Sequence, residues 1–239
     1  MDSKVLEIFL APWYDSLADP EEAQAALFEN LIRKYRRTEY GKKCGADDIE
    51  TLDEFTEKFP TATFSDFVPF IEQVKQGKWN SLLQEEPIEW GVTRGTTGPS
   101  KIVPYTRSEI EERVVLGPRC LLNYVYKSGD TALLDGYIML FIYPSVAGTE
   151  TSADTERVYG YSSGIYAKHL AERVGIKLVY PIEELNQFGT RRVESESRLR
   201  LEYMYEKSQG LPVTALVGIA QLLLHFGRLR SIRTNPTSR

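Results

Sequence analysis

Apolar residues in the first sixty positions recur at helical spacing, and the pattern changes period near Ile88. Ala26, Leu27, Leu31 and Tyr35 lie near one face of a predicted helix over Glu21–Arg37, with Asp19 and Pro20 at its start and Gly41 beyond its end. Thr51–Phe59 predicts a second, short helix stopped by Pro60. Ser65 is the expected cap of a third, in which Pro69 falls in the first turn, where a missing amide costs nothing; Gly77 closes it. Ile88–Thr93 and Lys101–Tyr105 then read as strands on either side of a Gly/Thr-rich loop. Thr106 and Glu109 have the spacing of a capping box, which opens a long helix expected to run to about Tyr126. Tyr137–Tyr143 is apolar throughout, the mark of a strand buried on both faces. Val158–Tyr161, Ile176–Tyr180 and Val213–Val217 read as further strands, and Gly164–Arg173, Val193–Lys207 and Ala220–Leu229 as helices.

Strands and helices alternate from residue 130 onward, which predicts an α/β fold with at least partly parallel strands. The expected organisation is a helical segment over residues 1–87, packed on or beside an α/β portion over residues 88–239. That alternation stops at a polar stretch, Arg233–Arg239, so the α/β portion reads as truncated at its C-terminal end. A core cut in this way is expected to leave an exposed apolar face where the missing part docks.

Composition narrows the classes. The hydrophobic fraction of 42% and charged fraction of 26% are those of an ordinary globular chain, and the net charge of -5 offers no footprint for nucleic acid. Arg228, Arg230, Arg233 and Arg239 gather at the C-terminal end and read as a solvated tail. Cys44 and Cys120 stand far apart without metal-ligand spacing, and no apolar run is long enough to span a bilayer. The start of the chain lacks the charged and apolar regions of a signal peptide, so the expected compartment is the cytoplasm. His169 and His225 lie in separate helical patterns and read as structural or surface residues.

The chemistry concentrates in the loop. Thr93, Arg94, Gly95, Thr96, Thr97, Gly98, Pro99, Ser100 and Lys101 follow one another between two strands. Two glycines let the backbone approach a ligand closely and turn several amides inward, as in an anion-binding nest. Thr93, Thr96, Thr97 and Ser100 add hydroxyl donors, and Lys101 and Arg94 add positive charge. Amides, hydroxyls and cations around one short loop suit a polyphosphate. The spacing is neither that of a P-loop nor that of a dinucleotide fingerprint, and composition alone leaves open a hairpin without a ligand.

The run Gly95–Lys101 resembles the phosphate loop of the adenylate-forming superfamily, which includes acyl-CoA synthetases. The wider order is Phe59–Ile71, then Gly77, then Glu86-Pro87-Ile88, the loop, and Val103-Pro104-Tyr105-Thr106. It is similar to the auxin-responsive Gretchen Hagen family of acyl acid amido synthetases, in its bacterial or archaeal branch. Beyond residue 106 the likeness rests on Gly160–Gly164 and on the strand and helix over Val213–Phe226. The resemblance implies the N-terminal portion of an adenylate-forming large domain. It implies ATP and magnesium as cofactors, with Thr93, Arg94, Gly95, Thr96, Thr97, Gly98, Ser100 and Lys101 around the β- and γ-phosphates and Lys101 neutralising them. The family usually has Ser where Arg94 stands, which leaves the role of Arg94 open. The implied reaction converts a small carboxylic acid to an acyl-adenylate and passes the acyl group to an amino acid, or to coenzyme A in relatives. The resemblance makes Gly218, Ile219, Leu222 and Leu223 acyl-pocket candidates, and for any one of them plain core packing of a strand and helix is the reading to be preferred. No segment after residue 213 matches the superfamily's adenine, ribose or magnesium ligands. Three readings stay open: a portion of a longer ligase, one half of a split ligase completed by a separate chain, or a non-catalytic nucleotide-binding or interaction module.

Overall fold

The computed structural model describes residues 3–93, 100–152, 155–174, 176–188 and 194–234. Five helices open the chain: α1 (Ser3–Ala18), α2 (Pro20–Tyr35), α3 (Glu39–Lys43), α4 (Leu52–Lys58) and α5 (Phe64–Lys75). Their ends follow local chemistry. The Asp19 carboxylate accepts from the Glu22 amide at 3.1 Å to start α2. Thr51 and Glu54 close a reciprocal capping box on α4. At α5 the cap is Thr63, reciprocated by Asp66, rather than the expected Ser65. Asp66 reaches back to both the Thr63 amide and hydroxyl, which sets the start two residues earlier. Pro69 consequently lies deeper in the helix than its first turn. Between these helices Tyr35, Tyr40, Phe55, Phe59, Phe67 and Phe70 form a chain of ring contacts with centroids 4.6–6.5 Å apart.

The α/β portion comprises β1 (Pro87–Val92), β2 (Ile102–Thr106), α6 (Arg107–Leu116), α7 (Arg119–Ser128), α8 (Ala132–Asp135), β3 (Tyr137–Phe141), β4 (Gly148–Ser152), β5 (Thr155–Tyr161), α9 (Ser162–Val174), α10 (Glu194–Ser208), β6 (Val213–Gly218) and α11 (Ala220–Thr234). The long helix expected to about Tyr126 is two helices, α6 and α7. Pro118 has no amide to donate and its ring crowds the preceding turn, so the helix restarts after it. The expected capping box is half formed. The Glu109 amide bonds Thr106 Oγ1 at 3.3 Å, while the Glu109 carboxylate is engaged by the Tyr166 hydroxyl.

Two sheets result. One runs β2-β1-β5-β4, with β1 antiparallel to β2 and parallel to β5, and β4–β5 an antiparallel hairpin. The other pairs β3 with β6 in parallel, from Tyr137 opposite Val213 to Phe141 opposite Gly218. The expected strand over Ile176–Tyr180 reduces to a single parallel bridge between Leu178 and Ile138. The Tyr180 hydroxyl donates to the Leu140 carbonyl, occupying an acceptor that a longer ladder would have used. The main core lies around β3: Ile138, Met139, Leu140 and Phe141 pack with Leu185, Leu201, Met204, Ala215 and Phe226. A second cluster, Tyr105, Ile110, Val114 and Ile165, sits between β2, α6 and α9. The helical segment is tied to this portion by the Tyr14 hydroxyl, which donates to Asn123 on α7. Among the described residues no helix is long and apolar enough to cross a membrane.

Candidate functional site

The loop singled out by sequence joins two hydrogen-bonded antiparallel strands. Val92 faces Ile102 in the ladder, and the bonding continues one step beyond the strands. The Thr93 amide donates to the Lys101 carbonyl at 2.9 Å, and the Lys101 amide donates to Thr93 Oγ1 at 3.1 Å. Thr93 and Lys101 therefore clamp the neck of the loop. Arg94, Gly95, Thr96, Thr97, Gly98 and Pro99 lie outside the described residues. Ser100, half-buried, sits just inside the clamp. Lys101 is exposed, and its Nζ lies 4.8 Å from the centre of the Phe64 ring at the first turn of α5. No carboxylate of the described residues lies within ion-pair distance of it.

The surroundings of the neck are tightly fixed. Val92 pairs with Tyr161 at the carboxyl end of β5, so Thr93 and the first turn of α9 leave the sheet side by side. Tyr105 ties β2 to the start of α9: its hydroxyl and that of Ser162 are 2.6 Å apart. Gly91 lacks the Cβ that would collide with the Tyr105 ring. Gly160 and Gly164 permit equally close approach of the segment Tyr143–Ser145, whose backbone a Cβ at either position would strike. The Tyr161 amide donates to the Pro144 carbonyl at 3.0 Å, and the Tyr143 amide to Ser163 Oγ at 3.0 Å. The rings of Tyr143 and Tyr161 stand 5.3 Å apart. The neck of the loop, the start of α9 and the chain leaving β3 thus meet at the carboxyl ends of parallel strands, where open α/β sheets place their ligand crevices. Sequence reasoning flagged Gly160–Gly164 as a block. It gave no site role to Tyr105, named only within the run Val103–Thr106, or to Tyr143, named only as a strand end, because their contacts are remote in sequence.

Charge around the floor is largely neutralised away from the neck. Glu89 on β1 accepts from Lys168 at 2.7 Å and contacts His169 Nε2 at 2.9 Å, which leaves His169 a structural residue. Burial pushes the Tyr166 phenol well above its ordinary value, with Glu109 and Tyr105 adding to the effect, so it stays a neutral donor to Glu109. Among the described residues no three His, Cys, Asp or Glu side chains converge as a metal site, and none is nominated as a magnesium ligand.

The acyl-pocket candidates separate. Gly218 ends β6 against the Phe141 side chain, where a Cβ would not fit. Ile219 is exposed, whereas Leu222 belongs to the main core and Leu223 packs against it. Gly218 and Phe141 end the parallel β3–β6 pair, two residues before Tyr143.

The family profile described as the GH3 family N-terminal domain matches residues 11–187. The chain belongs to the GH3 family. Curated relatives include the putative indole-3-acetic acid-amido synthetase GH3.10 of Oryza sativa subsp. japonica, 26% identical over 166 residues, covering 62% of this GH3 chain and 34% of the relative. Indole-3-acetic acid-amido synthetase GH3.2 of Arabidopsis thaliana is 26% identical over 100 residues, 41% of this chain and 18% of the relative. Among solved structures, the GH3.15 acyl acid amido synthetase superposes with a TM-score of 0.67 at 15% identity, covering 95% of this chain and 38% of that one. A second, AtGH3.15 with 2,4-DB, gives 0.61 at 16% identity over 75% and 30%. At these identities the likeness establishes the fold, a mixed α/β arrangement shared with the N-terminal part of the amido synthetases. The GH3 chain described here spans less than two fifths of the length of each of these proteins.

Proposed function

We propose that this GH3 chain supplies the ATP-phosphate-binding loop of an acid–amino acid ligase that works through an acyl-adenylate. The observation that carries the reading is the neck of the loop. Thr93 and Lys101 clamp a Gly/Thr-rich turn at the carboxyl ends of β1 and β5, with the Lys101 cation free of carboxylates among the described residues. Such a loop holds the β- and γ-phosphates through backbone amides, the hydroxyls of Thr96, Thr97 and Ser100, and the charge of Lys101.

In the first step a carboxylate oxygen attacks the α-phosphorus of ATP and the bond to pyrophosphate breaks. The acid becomes an acyl-adenylate, and negative charge moves onto the departing pyrophosphate. The loop's task is electrostatic: its donors and the Lys101 charge stabilise the negative charge that develops on pyrophosphate. An amine then attacks the acyl carbon and AMP leaves, forming the amide. Magnesium, which the family reaction implies, takes oxygen ligands from phosphate and carboxylate; no step is assigned to it because the described residues converge on no metal site. The acceptor is an amino acid, as the amido synthetase names of the relatives suggest. We place the chain in a bacterial or archaeal branch of the family on the run Phe59–Thr106, and identities near 26% to plant relatives agree with a distant branch.

The portion-of-a-ligase reading is favoured over a free-standing module by the exposed apolar residues at β6 and α11, Leu216, Val217, Ile219 and Leu224. The test is carboxylate-dependent exchange of pyrophosphate into ATP across aryl and alkyl acids. Exchange with one acid class names the substrate. No exchange, with ATP still raising the thermal midpoint, assigns the loop to this chain and the remaining catalytic groups to residues beyond it. Absence of both contradicts the reading.

A further inference from the structure

We propose that the cleft between the end of α5 and the amino end of β1 binds a free α-amino acid with a large apolar side chain. The loop leaves the opposite, carboxyl end of β1, so this is a separate ligand site and not the place where the reaction proposed above would consume its acceptor. Nothing in it depends on that reaction.

Local rules build the cleft. α5 ends in a Schellman turn, in which the Gly77 amide donates to the Val74 carbonyl at 3.0 Å and the Lys78 amide to the Gln73 carbonyl at 2.9 Å. Gly77 takes a φ of +88° there, a backbone conformation that suits glycine. The 3₁₀ turn Trp79–Ser81 follows at once. Ser81 is fully buried and its hydroxyl donates to the Phe70 carbonyl at 3.1 Å, which fastens the turn carrying Trp79 to α5. Trp90 stands opposite Pro104 in the β1–β2 ladder. These two indoles, with Lys75, Glu86, Pro87 and Arg157, line a cavity of about 390 Å³, the size of a small-molecule site.

The charges in the cleft select the ligand. The Lys75 ammonium is already engaged by Glu72 at 2.9 Å and Glu150 at 3.0 Å. Arg157 forms no ion pair with any described residue. Its Nη2 donates to the Lys75 carbonyl and its guanidinium lies 5.7 Å from the centre of the Trp90 ring. Its Nη1 is buried without an acceptor among the described residues. Glu150 faces Arg157 across the β4–β5 ladder but turns Oε1 to Lys75, and its buried Oε2 lacks a partner too. A guanidinium nitrogen cut off from both water and an acceptor destabilises the fold, and a ligand carboxylate supplies what it lacks. Glu86, at the entry to β1, is exposed and makes no ion pair among the described residues. One cation and one carboxylate thus remain for a ligand, beside two indoles. A zwitterion satisfies both charges at once, where a simple anion or cation would leave one of them opposed. The indole rings offer its side chain a flat apolar surface.

The chain has three tryptophans, and only Trp13, on α1, lies away from the cleft. Their indole N–H signals in a nitrogen-15 correlation spectrum of the full chain, recorded without nucleotide, report on the site directly. L-Phenylalanine should shift the Trp79 and Trp90 signals saturably and leave Trp13 in place. Phenylalaninamide, which lacks the carboxylate, and glycine, which lacks the side chain, should bind at least about tenfold more weakly. 3-Phenylpropionate, which lacks the ammonium, should bind at least about threefold more weakly, a smaller loss because Glu86 is exposed. Arg157→Gln should lose at least about tenfold in affinity and Glu86→Gln about threefold, with thermal melts to show that each variant is folded. Lys101→Ala should change nothing in this titration. The proposal is overturned if the two signals do not move, as when Arg157 and Glu150 simply pair with each other in solution. It is also overturned if Trp13 moves as much, if phenylalaninamide or 3-phenylpropionate binds as tightly as phenylalanine, or if folded Glu86→Gln keeps full affinity. Loss of the shifts in Lys101→Ala would likewise overturn it, by placing the ligand at the loop.

Discussion

Thr93 and Lys101 hold each other twice, by an amide-to-carbonyl bond of 2.9 Å and an amide-to-hydroxyl bond of 3.1 Å. The second bond depends on the Thr93 side chain. Thr93→Val keeps the shape and removes the acceptor, leaving the Lys101 amide unpaired at the neck. Because the site is partly exposed, the expected loss of stability is about 0.5–1.5 kcal/mol. Under the proposed function the loosened loop also binds ATP more weakly. Chemical denaturation and calorimetric titration with ATP check the two effects separately.

Gly91 lies under the Tyr105 ring, which is itself fixed by Ser162. Gly91→Ala pushes a methyl group into that ring and breaks the hydroxyl pair at the start of α9. The expected cost is about 1–3 kcal/mol, as for other overpacked cores. Tyr105→Phe, which removes the hydroxyl and keeps the ring, should cost less. Equal thermal midpoints for Gly91→Ala and wild type would contradict the packing described.

Glu85 ties the entry to β1 to the first turn of α6, accepting from the Ser108 amide at 2.8 Å. Burial acts to raise its pKa, but the bonds from Ser108 and Thr106 and the charge of Lys34 together hold it below the ordinary value of 4.5. A depressed carboxylate contributes stability above its unfolded pKa and loses it as pH falls through its folded one. Glu85→Gln should therefore be less stable than wild type at neutral pH, with the difference shrinking below about pH 4. Thermal melts from pH 3 to 7 measure it; a constant difference over that range would contradict the assignment.

Lys75 is 7% exposed and its ammonium sits 2.9 Å from Glu72 and 3.0 Å from Glu150. Burial acts to lower its pKa, and the two carboxylates outweigh it, leaving the group above 10.5. A raised lysine stabilises the fold below its unfolded pKa, and the contribution disappears as pH rises through the folded value. Lys75→Met should cost about 1–3 kcal/mol at neutral pH, less than a fully buried pair because both carboxylates reach solvent. In alkaline titration the wild type should lose this advantage above pH 10.5, while the variant shows no such step.

The pattern of residues reveals an element when its signal is local. β1, β2 and β3 were legible because apolar runs flank a glycine-rich loop or fill a whole strand. β4 was not, because Gly148–Ser152 is polar and is held by main-chain pairing to β5. The break between α6 and α7 was written in Gly117 and Pro118, and helical spacing on both sides obscured it. At the site, Thr93 and Lys101 could be found from the loop's composition, since both ends of one turn must meet. The Tyr105–Ser162 bond joins residues 57 apart, and the Tyr143–Tyr161 contact depends on two separate sheets, so no window along the chain contains either pair. Gly160 and Gly164 stand out in the sequence as a block, but what they and Gly91 allow is visible only once their neighbours are known.

The central claim is that the loop from Thr93 to Lys101 binds the phosphates of ATP. Calorimetric titration of magnesium-ATP into the wild-type chain and into Lys101→Ala tests it most directly, with thermal melts of both proteins to show that each is folded. The account predicts saturable binding to the wild type and at least about tenfold weaker binding to the variant, equivalent to roughly 1.4 kcal/mol of lost phosphate interaction. Equal affinity in two equally stable proteins, or no binding to a folded wild type, would contradict it.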